Sequence, residues 1–279
     1  MERVYEWERL NNQQLAALDR RETVVLLPFG HTQQHGPHLP HGTISFAVRH
    51  IAQETADLLT MTDRQRQVLL LPLLSYGADP VDLKQVERFP LCSSLSIRPE
   101  TLEALVTDIT EGVVRNGFRY LFGIGYYGGA AHCRAIQKAF ARVSRQYPAL
   151  IALDTFSHLY AGAAANAAPD LHTLTRRRVS PIEQAAVDAP GHGGTASTAI
   201  MLALDANLVA PEYMSMEGIA ADNIGALNDW PGYYGGPPAL AEADLGRAIL
   251  SQQAYRATSL IRRAVAGESL ADLPIHPGY

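Results

Sequence analysis

The chain has 279 residues and 47% of them are hydrophobic, which supports a sizeable folded core. A formal net charge of −5 at pH 7 argues against nucleic acid as the main partner, because a nucleic-acid-binding surface needs clustered Lys and Arg. Two cysteines are too few for a disulfide framework, the N-terminal residues show no apolar signal segment, and no apolar run has the length of a membrane span. We therefore expect a soluble cytoplasmic protein.

Strand and helix patterns alternate along the chain. Short apolar runs predict buried strands at residues 22–30, 67–77, 119–129 and 149–156. Apolar residues at helical spacing predict helices at 44–60, 98–117, 130–148, 196–205 and 240–267. This alternation predicts an α/β fold with a mostly parallel sheet covered by helices on both faces, formed as one domain over residues 1–279.

Polar and glycine-rich segments follow the predicted strands. They read GHTQQHG (30–36), SYGAD (75–79), GYYGGAAH (125–132) and DTFSH (154–158). Ligands of parallel α/β sheets bind outside the carboxyl ends of the strands. The sequence therefore predicts that these four segments converge on one edge of the sheet and form the functional site there.

Six segments, in this order, resemble the signatures of the creatininase (creatinine amidohydrolase) family. They are YEWERLNNQQLAAL (5–18), LLPFGHTQQHGPHLPHGT (26–43), YGADPVDLKQVERFPLCSSLSI (76–97), RNGFRYLFGIGYYGGAAH (115–132), GHGGTASTAIMLALDANLV (191–209) and PGYYGGPPALAEADLG (231–246). The resemblance implies a creatininase-like three-layer α/β/α sandwich that begins with a helix and assembles as a hexamer.

The resemblance also implies a binuclear metal hydrolase, in which carboxylates and histidines hold two divalent ions. The family's five ligand positions fall on Gln33, His35, Ile44, Tyr127 and Ser197. Only the histidine at His35 is kept and every carboxylate is replaced, so we expect no metal at these positions. Zinc or manganese is expected only if another set of residues has rebuilt a site, for example the four histidines 31, 35, 38 and 41, or a carboxylate at position 154 or 188.

Three residues are the predicted catalytic groups. His192 is kept from the family's later His-containing motif, and an imidazole transfers protons near neutral pH without a metal. His35 and Tyr127 join it, since a phenol also donates or accepts protons. The predicted substrate-binding residues are Gln33, His31, His41, Ser197, Tyr126 and Trp230.

Several of these residues also have a structural interpretation. Ser197 or Thr198 is expected to cap the following helix. Cys133 is expected to be a small buried residue rather than a nucleophile, although its place near a helix start leaves the second interpretation open.

The preferred functional prediction is a diverged enzyme that acts on a small polar metabolite. It would make or break a C–N or C–O bond by metal-independent acid–base chemistry. One alternative is a non-catalytic pseudoenzyme that binds a metabolite or partners an active relative. Another is a metal-dependent amidohydrolase with a rebuilt site. The expected partners are a small-molecule substrate and further copies of this chain, with neither nucleic acid nor membrane.

Overall fold

The computed structural model describes residues 3–79, 94–160, 180–181, 192–217, 234–270 and 272–276. The strands are β1 (Val4–Glu6), β2 (Val24–Phe29), β3 (Val68–Leu70), β4 (Tyr120–Gly125) and β5 (Ile151–Asp154). The helices are α1 (Asn12–Ala16), α2 (Thr43–Thr62), α3 (Pro99–Arg115), α4 (Ala130–Gln146), α5 (Thr195–Asp205) and α6 (Ala243–Val265). Short 3₁₀ helices occupy Trp7–Arg9, Ala206–Leu208, Pro211–Ser215 and Pro238–Leu240.

The strands form a sheet in the order β1-β3-β2-β4-β5, and every ladder among the described residues is parallel. The central pair, β2 and β4, is in register from Val24 opposite Tyr120 to Phe29 opposite Gly125. All six residues of β2 are buried, as expected for a parallel strand that is covered on both faces. The carboxyl ends of these strands therefore meet at one edge, as the sequence predicts.

Two hydrophobic cores lie on opposite faces of the sheet. Val24 and Leu26 belong to a core that α2, α5 and α6 cover. Val25 and Leu27 point to the other core, which α3 and α4 cover. Alternate residues of one strand thus bury into different helical layers, and this gives the predicted three-layer α/β/α arrangement.

The structure differs from the sequence-based expectation at the N-terminus. The expected opening helix at residues 5–18 is wrong, because this stretch contains the end of β1, a 3₁₀ turn and the five-residue helix α1. Among the described strands, β1 lies at the edge of the sheet and pairs with β3. A capping box between Asn11 and Gln14 starts α1. The predicted strand at 67–77 also ends early, at Leu70, two residues before Pro72, which has no N–H to donate to a ladder.

None of the helices in the described ranges has the length and apolar character needed to cross a membrane.

Candidate functional site

The loop after β2 supplies most of the site. Residues 30–42 cross the carboxyl edge of the sheet, and His31, Gln33 and His35 are each no more than 1% exposed. The Gln33 N–H donates to the His41 carbonyl at 3.0 Å, and this bond folds the loop back on itself. Polar side chains are thus buried here. Burial favours hydrogen bonds to these side chains and favours their neutral forms.

His35 and His192 form a stacked pair. Their ring centroids are 4.6 Å apart and their planes differ by 16°. His35 Nδ1 lies 2.8 Å from the Gln33 carbonyl, so Nδ1 carries the proton and donates it. His192 Nε2 lies 3.1 Å from Gln34 Nε2, and because an amide nitrogen only donates, this imidazole nitrogen accepts. The network therefore assigns one proton-accepting nitrogen to the half-buried His192.

Gly193 allows this pair to form. Its φ is +60°, and a Cβ at this position would lie 2.6 Å from the His35 carbonyl oxygen. A larger residue would hold His192 away from His35 and would also be strained in the left-handed region. Gly193 of the GHGG motif therefore has a direct packing role.

A second group joins the segments that follow β2, β3 and β4. The Tyr127 ring lies edge-on to His31 at 4.7 Å and to His132 at 5.3 Å between centroids. The Tyr127 hydroxyl donates a short hydrogen bond to Asp79 Oδ2. The same oxygen accepts from Gln33 Nε2 at 3.1 Å. Asp79 thus connects a phenol and an amide at the family-derived positions 127 and 33.

Burial holds the imidazoles of the site in the neutral form. It is the largest cause that lowers the pKa of His31 and His192 to about 4 and that of His35 and His132 to about 3. The neighbouring His192 lowers the pKa of His35 further, whereas Asp79 opposes the lowering at His31. Each neutral imidazole keeps one nitrogen with a lone pair; that of His132 accepts from the Ala78 N–H and that of His192 accepts from Gln34.

The start of α5 is built differently from the expectation. The N-cap is Gly194 and no side chain caps it, so the predicted cap by Ser197 or Thr198 is wrong. Thr198 Oγ1 instead donates to the Gly194 carbonyl at 2.9 Å. It therefore accepts from His38 Nε2, also at 2.9 Å. Ser197 is buried in the first turn of α5, and its role in substrate binding stays a prediction.

The other predicted residues lie in varied surroundings. His41 is exposed in the loop before α2. Tyr126 packs against the α2, α5 and α6 core and lies 6.0 Å from the Phe156 ring, and burial raises its pKa. Trp230 lies outside the described residues. The roles of all three in substrate binding stay predictions.

Two residues weighed from the sequence, Cys133 and Asp154, belong to other surroundings. Cys133 is 1% exposed, and burial raises its thiol pKa to about 12, as suits a packing residue rather than a nucleophile. Asp154 accepts hydrogen bonds from the Ser157 hydroxyl and the Phe156 N–H. Its carboxylate is thus bound within its own turn. Asp188 lies outside the described residues.

A family model described as Creatininase, creatinine amidohydrolase, matches residues 8–261. The chain belongs to the creatininase family. No curated protein matches the chain by sequence.

Solved structures of the family share its fold. A creatinine amidohydrolase, creatininase, has a TM-score of 0.65 and 20% identity, with 93% of this chain and 97% of that chain covered. A structure described as creatininase Mn has a TM-score of 0.66 and 19% identity, with 93% and 98% covered. A Bacteroides fragilis protein, assigned provisionally as a creatinine amidohydrolase, has a TM-score of 0.65 and 17% identity, with 98% and 100% covered. At these identities the likeness shows the fold alone.

The residues of this chain do not fit the two-metal centre that the family resemblance implies. Ile44 is an apolar residue that is 5% exposed in the first turn of α2. Gln33 is a neutral amide whose Nε2 donates to Asp79, and it brings no negative charge to a metal site. Within the described ranges, no group of three or more His, Cys, Asp or Glu side chains is arranged to hold a metal. Within the part of the chain that the structure describes, Asp79 is the carboxylate bonded to these positions, and one negative charge is too little to offset two dications.

Sequence reasoning missed Gln34, Asp79, Ser96 and His132 as members of this site. Two signals were available, since Asp79 ends the SYGAD segment and His132 ends the GYYGGAAH segment, both placed at strand ends. Gln34 stands next to Gln33 in the first signature. Nothing in the sequence distinguished Ser96.

Proposed function

We propose that this creatininase-family protein cleaves an amide-type C–N bond in a small polar substrate by metal-independent acid–base chemistry. The observation that carries the proposal is the arrangement at positions where the family resemblance implies metal ligands. A phenol–carboxylate pair, Tyr127 with Asp79, lies there beside a stacked imidazole pair, His35 with His192. These groups can move protons without an ion.

The accessible groups define the substrate class. Three residues of the site are half-buried and can contact a substrate: Tyr127, Asp79 and His192. Three others are fully buried: His31, His35 and Gln33. The Asp79 carboxylate accepts hydrogen bonds, and the neutral imidazole of His192, whose Nε2 accepts from Gln34, offers its Nδ1–H as a donor. A substrate that carries both N–H groups and a carbonyl oxygen would complement this acceptor and this donor. The proposed substrate is therefore a small amide, lactam or cyclic urea.

Two groups have proposed roles in catalysis. The Tyr127 proton already points at Asp79, so the phenol oxygen can take a proton from the substrate side while its own proton passes to the carboxylate. His192 Nε2 accepts from Gln34, so its Nδ1 carries the hydrogen and can donate a hydrogen bond to the substrate carbonyl oxygen, while His35 holds the ring by stacking. A positioned acid or base of this kind contributes about 10²–10⁴-fold to a rate.

The test is turnover by chelator-treated protein on a panel of creatinine, cyclic ureas, formamides and linear amides. We expect His192→Ala and Tyr127→Phe each to lower kcat by about 100-fold or more with a smaller change in KM. Tyr255→Phe is the matched control, because Tyr255 is 69% exposed on α6. Activity that appears only after zinc or manganese is added would contradict the proposal. Tight binding of a panel member without turnover would favour a non-catalytic role.

A further inference from the structure

We propose that Ser96 is the nucleophile of this site and that His31 is the base that activates it. The inference rests on the proposed amide-cleaving function and deepens it. An amide hydrolase without a metal-bound water needs another way to make a strong nucleophile, and a serine paired with a histidine is one such way. Ser96 Oγ lies 3.0 Å from His31 Nε2, within the range of a nucleophile–base hydrogen bond.

The backbone around Ser96 is fixed by two neighbouring segments. The Leu95 N–H donates to the Thr32 carbonyl at 2.8 Å, and the Ile97 N–H donates to the Gly77 carbonyl at 2.9 Å. The hydroxyl of Ser94 accepts from the Gln34 N–H at 3.0 Å. Residues 94–97 are thus held across the loops that follow β2 and β3. This places the serine over His31, and Ser96 itself remains half-buried.

His31 is held as firmly as Ser96. It is 0% exposed, and a Cβ on Gly77 would lie 2.7 Å from its Cγ, so the backbone of residue 77 packs directly on the imidazole ring. Tyr127 covers another side of the ring at 4.7 Å between centroids. Only one nitrogen, Nε2, faces Ser96. The base is therefore pre-positioned, with the Tyr127–Asp79 pair beside it.

A distant segment of the chain supplies the hydroxyl that contacts His31. The contact joins residues 65 positions apart. Among the described residues, His31 Nδ1 is buried without a hydrogen-bond partner, and Ser96 is the polar partner of Nε2. Ser96 is partly exposed, so a substrate can reach it.

The reaction balances without any co-reactant except water. Ser96 Oγ bonds to the substrate carbonyl carbon while its proton passes to His31 Nε2. The tetrahedral intermediate collapses, the C–N bond breaks, and His31 returns that proton to the leaving nitrogen. Water then adds to the acyl-Ser96 ester with His31 as base, which releases the acid and restores the serine.

The experiment uses the full-length, chelator-treated protein with two acylating or phosphonylating probes, p-nitrophenyl acetate and a small alkyl fluorophosphonate. We expect one adduct per chain by intact mass, mapped to Ser96 by peptide mass spectrometry. Ser96→Ala should show no adduct, and His31→Ala should label about 100-fold more slowly or worse. Ser215→Ala, which changes a serine in a surface 3₁₀ helix, is the matched control and should label like the wild type.

Circular dichroism and thermal melts establish that each variant is folded, and Ser96→Cys, labelled with iodoacetamide, provides a second nucleophile of similar size. No adduct at Ser96 with either probe, or equal labelling of Ser96→Ala, overturns the inference. Amide turnover that survives in Ser96→Ala also overturns it but leaves metal-free amide cleavage intact. An adduct on Ser96 in a protein that turns over none of the panel contradicts the proposed function and supports the serine–histidine pair.

Discussion

Two polar clusters lie at the carboxyl edge of the sheet. They differ in how their buried polar groups are paired. The histidine cluster consists of His31, His35, His132 and His192, whose rings lie near one another or against Tyr127. The Asp154 cluster consists of Asp154, Ser157, Gln137 and His276, which are joined directly by hydrogen bonds. In the first cluster, His192 is partly exposed. In the second cluster, the members hydrogen-bond to one another.

The Asp154 cluster anchors the C-terminal residues to the body of the protein. Gln137 Nε2 donates to Ser157 Oγ at 2.8 Å, and the His276 N–H donates to the Ser157 carbonyl at 2.8 Å. His276 Nε2 lies 2.8 Å from the Gly128 carbonyl, next to Tyr127. Local hydrogen bonds satisfy this cluster, and its evident role is structural.

Burial shifts the two clusters in opposite directions. It lowers the pKa values of the imidazoles and raises the pKa of Asp154 to about 6. A group that burial keeps neutral lowers the unfolding free energy at pH values where the same group is charged in the unfolded chain. The clusters should therefore respond to acid with opposite sign, and pH separates their contributions.

The largest expected effect is acid lability caused by the histidine cluster. The four imidazoles have folded pKa values of about 3–4, below the ordinary 6.5, so the unfolded chain binds more protons as the pH falls below 6.5. Each should remove about 2 kcal/mol of unfolding free energy between pH 7.5 and pH 5. Urea denaturation across this range measures the loss, which continues until the pH passes the folded pKa values.

A matched pair of variants assigns that loss to the cluster. His35→Asn should reduce the slope of unfolding free energy against pH. Arg49→Ala, at an exposed position of α2, should leave it unchanged. A wild-type protein whose unfolding free energy is flat between pH 7.5 and pH 5 would contradict the description of the cluster.

The Asp154 cluster should show the reverse dependence. Because the folded pKa of Asp154 is raised from 3.8 to about 6, its ionised form costs about 3 kcal/mol at pH 7.5, and this cost disappears as the pH falls through 6 toward 3.8. Asp154→Asn should therefore gain up to about 3 kcal/mol of unfolding free energy at pH 7.5 and much less at pH 4.5.

The exposed Asp108→Asn on α3 is the control for Asp154→Asn and should change little at either pH. Chemical denaturation of the three proteins at both pH values makes the comparison. A gain of equal size at both pH values would show that the effect does not come from ionisation.

A smaller effect is expected where the histidine cluster meets Asp79. Gln33→Glu replaces an amide that donates to Asp79 at 3.1 Å with a second carboxylate. The lost hydrogen bond and the like-charge contact should cost about 2 kcal/mol at pH 7.5. Thermal melts should show a lower midpoint, which the exposed Gln13→Glu on α1 does not share. A variant as stable as the wild type would contradict the Gln33–Asp79 contact.

The sequence predicts the framework better than the ends of its elements. The periodicity of apolar residues predicted the bounds of β2, α2, α3 and α4 to within a few residues. It did so because the apolar side chains of these elements pack into the two cores. It missed β1, because three residues carry no periodic signal and the strand forms only through pairing with β3. It also missed the Gly194 cap, since Thr198 bonds back within its own helix.

The site could be predicted only in part. Motif positions pointed to His35, His192 and Tyr127, which the structure brings to one edge of the sheet. The contacts that define their chemistry join distant segments: Gln33 to Asp79 across 46 residues and Gln34 to His192 across 158. A single sequence contains no record of such pairings. Asp79 was nevertheless visible as a carboxylate at a predicted strand end.

The most direct measurement is the metal content of the native protein. Untagged protein, purified without chelator or added metal, should contain zinc, manganese and iron well below one ion per chain by inductively coupled plasma mass spectrometry. Its unfolding midpoint should also be the same with and without EDTA. Two divalent ions per chain, removed by EDTA with a loss of stability, would contradict the conclusion that these residues do not form the family's two-metal centre.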